Sequence, residues 1–135
     1  MSKIYKSREG EATAVDTKSQ LTTLGSEAAP GPLLVPSGAK NIVGIILAAS
    51  ENMAAATGFA GIIRLEGPGL PGGPEVLAVQ CGGAQVATGG NASNVAQLLD
   101  INIPVTVGNE ILIFAEMTGT DVGQVSFGVT LIFEK

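Results

Sequence analysis

Hydrophobic and polar positions alternate along this chain in short runs, and the clearest run is the last. From Gln124 to Glu134, Val125, Phe127, Val129, Leu131 and Phe133 alternate with Ser126, Gly128, Thr130, Ile132 and Glu134. A period of two held that long marks a strand with one face in a core. The run before it, Ile111 to Met117, is apolar on both faces: Ile111, Ile113 and Ala115 on one, Leu112 and Phe114 on the other. Such a strand needs cover on both sides. The turn-rich hexapeptide Thr118-Gly-Thr-Asp-Val-Gly joins the two, in the manner of a hairpin.

The rest of the chain follows the same habit. Ser2 to Val15 is polar and irregularly alternating, an extended arm or a first, outer strand. Asp16 to Pro32 reads as a connection with room for a short strand at Gln20 to Leu24. Pro30, Pro32 and Pro36 frame Leu33-Leu34-Val35, which suits only an edge strand because Pro cannot donate to a ladder. Ala39 to Ser50 is the strongest strand of the N-terminal half, with Ile42, Gly44, Ile46 and Ala48 on one side and Val43, Ile45, Leu47 and Ala49 on the other.

Glu51 to Thr57 suits a helical turn. Phe59 to Gly67 is a strand with Phe59, Gly61, Ile63 and Leu65 on one face. Gly67 to Pro74 is a breaker-packed loop, and Glu75 to Cys81 the next strand. Gly82 to Asn94 is Gly-rich and polar, with a short strand at Ala84 to Ala87. Val95 to Leu99 reads as a short helix capped by Ser93 or Asn94. The sum is about eight strands and no long helix, which predicts an all-β, antiparallel sandwich or barrel.

Composition changes this picture in one way. Hydrophobic residues make up 45% of the 135 and charged residues 14%, against a usual charged share of about 25%. So little charge cannot clothe a monomer, and the surplus apolar surface predicts burial against copies of the same chain. The net charge of −5 argues against specific nucleic acid binding, which needs clustered Lys and Arg. Lys3, Lys6, Arg8 and Lys18 do gather near the N-terminus, but Glu9, Glu11 and Asp16 are interleaved with them. Met1 is followed by no apolar run, so no signal peptide is read and synthesis in a cytoplasm is expected. No apolar stretch reaches the ~20 residues that span a bilayer.

Candidate chemistry is sparse. The sequence has no His, which removes His-based nucleophilic catalysis and the usual zinc sites. The lone Cys81 reads as a small buried hydrophobe. Glu66, Glu75, Glu110, Glu116 and Asp121 are available for a carboxylate pair, but there is no Trp and only one Tyr, Tyr5, to line a sugar cleft. Gly67 to Gly73 lacks the Gly-Lys-Ser/Thr ending of a phosphate loop and reads as a turn. Asp121 with Thr118 and Thr120 offers calcium a single carboxylate, so a turn is favoured there too. Asn91-Ala92-Ser93 is formally an N-glycosylation acceptor without a secretion signal to use it. No catalytic, cofactor-binding or metal residue is assigned, and no enzyme activity is expected.

Three stretches together resemble the single jelly-roll capsid proteins of icosahedral viruses, especially those of tailless phages and archaeal viruses. They are Pro36-Ser-Gly-Ala-Lys40 leading into Asn41 to Ala49, Ile103-Pro-Val-Thr-Val-Gly-Asn-Glu110 leading into Ile111 to Met117, and Thr118 to Gly123 before a terminal strand ending at Phe133-Glu134-Lys135. The resemblance covers Leu33 to the C-terminus. It implies a jelly roll of about eight strands over 33–135, preceded by an arm and connection over 1–32 that ties neighbouring subunits together. It further implies a self-assembling shell subunit of a virion, with copies of itself and, where the shell needs one, a second capsid protein as partners. The alternative is a phage decoration protein or a trimeric binding module of the fibre-head or tumour-necrosis-factor type.

Overall fold

The computed structural model describes residues 2–12, 16–24, 31–52, 59–81, 91–118 and 124–135. All its regular elements are strands: β1 (Lys3–Ala12), β2 (Ser19–Gln20), β3 (Leu33–Leu34), β4 (Asn41–Asn52), β5 (Phe59–Glu66), β6 (Glu75–Cys81), β7 (Asn91–Pro104), β8 (Glu110–Thr118) and β9 (Gln124–Glu134). They form two antiparallel sheets, one in the order β1-β9-β4-β7 and the other β2-β8-β5-β6, with β3 also on β8. Among the described residues, β5 and β6 are the only consecutive strands that are hydrogen-bonded neighbours. Otherwise the chain keeps crossing between sheets and pairing strands distant in sequence, which is the jelly-roll arrangement. Among the described residues no helix is long and apolar enough to cross a membrane.

The core is what the alternation of the terminal strand demands. Val125, Phe127, Val129, Leu131 and Phe133 of β9 are buried, facing Ile111, Ile113, Ala115 and Met117 of β8, with Ile63 and Leu65 of β5 beside them. β8 and β9 are therefore not a hairpin. They lie in opposite sheets, because each has one strongly apolar face and those faces bury each other across the sandwich.

Two further expectations are corrected. Val95 to Leu99 belongs to β7, paired residue for residue with Leu47 to Gly44 and Ala48 of β4. A five-residue helix has little stability of its own, and a full ladder to β4 outweighs it. In β4 the two-face pattern breaks at a bulge between Ile42 and Gly44, so Ile42 and Ile45 both enter the core. Of the arm and the outer strand left open for Ser2 to Val15, Lys3–Ala12 takes the strand, at the edge of the first sheet, paired along its whole length with β9 and contributing buried Ala12.

After β2 the chain leaves the second sheet, bridges Glu9 of β1 through Thr23, and returns as β3 to the same edge of β8. Arg8 fastens this excursion: its Nε donates to the Gly31 carbonyl at 2.8 Å and a terminal nitrogen to that of Pro32 at 3.4 Å. Leu21 and Leu33, on either side of it, are both buried. The loop from Gly67 caps one end, with Leu70 buried and Gly69 N–H donating to the Glu110 carbonyl at 2.8 Å.

Candidate functional site

The outer face of each sheet is built by the residues that alternate with the core set. On the second sheet, Leu112, Phe114 and Glu116 of β8 stand beside Ile62, Arg64 and Glu66 of β5. Charge covers the apolar members. Arg64 Nε donates to Glu116 at 3.2 Å, while Lys18 Nζ donates to Glu66 at 3.2 Å and lies 4.4 Å from the centre of the Phe114 ring. The second face of β8, expected to need cover, receives it partly from these long side chains.

Glu66 and Glu116, two of the carboxylates available for acid–base chemistry, are thus each held by a cation, and they sit four positions apart across the β5–β8 ladder. Glu75 opens β6 and Glu110 opens β8, at different places on the second sheet. Asp121 lies outside the described residues, as do Thr120 and the 84–87 segment. Cys81 ends β6, and Asn91 to Ser93 open β7, with side chains outside those described. Among the described residues no three His, Cys, Asp or Glu side chains gather as a metal site.

The first sheet is different. Its ladder aligns Tyr5, Ile132, Gly44 and Leu99 side by side on the outer face. Gly44 provides the close approach: a Cβ there would lie 2.9 Å from Ile132 Cδ1 and 3.3 Å from Leu99 Cδ2. With no side chain at Gly44, Ile132 leans across it and is only 6% exposed although it points outward. Tyr5 at 59% and Leu99 at 56% flank this row and face solvent. The next row pairs Ser7 with Thr130 through a 2.7 Å hydroxyl hydrogen bond, beside Ile46 and Gln97. Beyond it Glu9, Gly128, Ala48 and Val95 form a shallow groove, continued by Glu11, Ser126 and Ser50, of about 620 Å³. Its floor is Gly, Ala and Ser.

This face is a broad, mostly uncharged platform whose β1 side carries Lys3 at one end and Glu9 and Glu11 at the other. It offers contact area, and its polar chemistry in the rows Tyr5 to Leu99 and Ser7 to Gln97 is the exposed Tyr5 phenol, the hydrogen-bonded Ser7 and Thr130 hydroxyls and the Gln97 amide. Sequence reasoning assigned the apolar face of β4 but not Tyr5 or Leu99, which reach the row only through long-range register.

No protein-family model matches the sequence, and neither does any curated protein. Several solved structures align with the chain at low identity. A structure described as FLHE is similar over 100% of both chains at 12% identity, with a TM-score of 0.46. The globular domain of a zebrafish complement 1qA protein is similar over 96% of both, at 13% identity and a TM-score of 0.44. Infectious bursal disease virus, Gx strain, aligns with 95% of this chain and 36% of its own, at 15% identity and a TM-score of 0.28.

Proposed function

We propose that this chain is a structural subunit that assembles with copies of itself into a shell of the viral-capsid type, without catalytic activity, and that its place is the virion. The observation that carries this reading is the open apolar row Tyr5–Ile132–Gly44–Leu99 on the outer face of the first sheet. In a lone molecule that row leaves a large aromatic and a large aliphatic side chain in water on a mostly uncharged platform. Covering it against a neighbour removes apolar surface at about 25 cal/mol per Å². The low charged share, 14%, makes close approach of many copies inexpensive in desolvation.

Light scattering on the purified chain, followed by negative-stain electron microscopy, tests the reading. Closed shells, tubes or sheets of megadalton mass are the expected result. A stable trimer with no larger species would replace it with the decoration or binding-module alternative, and a monomer at every concentration would overturn self-assembly altogether.

A further inference from the structure

The strands at the sheet edges are not equally guarded. β1 carries Lys3, Lys6, Arg8, Glu9 and Glu11, and Thr23 bridges its outer side. β2 and β3 have two residues each, and β6 has seven and opens on Glu75. β7 has fourteen, and among the described residues it is paired only with β4. From Asn91 to Leu99 it holds no charge and no Pro, the devices that keep exposed edges from pairing. The ladder to β4 is uninterrupted over that stretch and breaks only beyond it, where Asp100 adopts a φ of 59°.

The exposed side chains of β7 say what kind of occupant fits. Val95 is 64% exposed and, with Leu99, points to the outer face, since their partners Ala48 and Gly44 do. Leu98 is 36% exposed and points the other way, with Ile45. A flat surface laid on the sheet would cover Val95 and Leu99 and leave Leu98 bare. A strand added at the edge covers both faces at once and satisfies the free N–H and C=O groups of the edge.

We propose that this occupant is β7 of a second copy, paired antiparallel about a two-fold axis at Val95; the proposal rests on the self-assembly reading above and names one of its contacts. A two-fold axis makes any strand pair with its own copy antiparallel. Val95 is the middle residue of the uncharged stretch, so pairing there overlaps Asn91–Leu99 with itself along its full length. Both Asp100 side chains then fall outside the paired stretch, and no like charges meet. The outer row Gly128–Ala48–Val95 runs on into its copy, and the two four-stranded sheets become one of eight. A seam one strand long buries far less than the ~1,600 Å² of a standard stable interface. It therefore works as one contact among several in an assembly.

The test uses the full chain and two variants. Val95→Lys places a charge at the centre of the seam, on a side chain already in solvent, and is expected to weaken self-association at least about tenfold while circular dichroism stays that of the wild type. Val95→Cys puts two Cβ atoms about 4.5–5.5 Å apart across the axis, so mild oxidation should yield a covalent dimer whose linked peptides both contain position 95 by mass spectrometry. The wild type, which keeps Cys81, is the control. Large assemblies that persist unchanged in Val95→Lys, with no link at position 95 in Val95→Cys, would overturn the β7 seam and leave self-assembly standing. A wild-type dimer lost in Val95→Lys would support the seam and overturn the shell. A monomeric wild type, with no link at position 95 in Val95→Cys, overturns both. If Val95→Lys fails to fold, the link at position 95 decides alone.

Discussion

Gly67 is fixed by what its missing side chain would touch. Its φ is 108°, and a Cβ would lie 2.7 Å from the Glu110 carbonyl oxygen, which is backbone and cannot swing aside. Gly67→Ala is therefore expected to cost about 1–3 kcal/mol from the backbone conformation alone, with the clash added, read as a lower urea midpoint at unchanged m-value. Gly44 is a contrasting case, because its neighbours are the ends of the Ile132 and Leu99 side chains. Arg8 binds the carbonyls of Gly31 and Pro32, so Arg8→Ala should cost about 1–3 kcal/mol and make the strap preceding β3 more open to limited proteolysis. By contrast, the Lys18–Glu66 pair is solvent-exposed on both sides. Lys18→Met should move stability by no more than about 1 kcal/mol, and a larger loss in a denaturant titration would contradict the surface assignment.

At the scale of the element, β1 shows how an irregular sequence becomes regular structure. Its own alternation is weak, since Lys6 and Arg8 stand opposite Leu131 and Val129 on the inward side. It forms because β9 offers a complete ladder and because Ala12 and Ile4 close the core. Deleting residues 2–12 should thus lower the melting temperature and leave β9 as a bare edge prone to aggregation, measured by circular dichroism with turbidity; an unchanged melt would show that these residues add nothing to the sandwich. The bulge in β4 and the strand at Val95 to Leu99 belong here too. Neither is legible locally. Val-Ala-Gln-Leu-Leu has residues that serve helix or strand, and only β4, some fifty positions upstream, decides between them.

For the whole molecule the question is what covers the first sheet. If the row Tyr5–Ile132–Gly44–Leu99 is a contact between copies, Leu99→Glu should abolish large species in light scattering while leaving the monomer's melt nearly unchanged, because Leu99 is already in solvent. Assembly driven by apolar contact should also strengthen in sulfate and survive raised sodium chloride. Dissolution by moderate sodium chloride would point to ion pairs instead.

The sequence by itself determined the class of the fold, because a period of two is a local property that each strand displays whatever it pairs with. The buried face of β9, the inward face of β5 at Gly61, Ile63 and Leu65, and the edge character of Leu33-Leu34 were all readable residue by residue. What only the tertiary structure decided was which strands are neighbours and in which register. The outer row joins Tyr5 to Ile132 and Gly44 to Leu99, residues whose proximity depends on long-range ladders and on a bulge that shifts one of them. Hydrogen bonds between strands are made by backbone groups common to every residue, so the sequence carries little trace of the partner. The partner is chosen by how the apolar faces fit together across the sandwich, and that is a property of the whole chain.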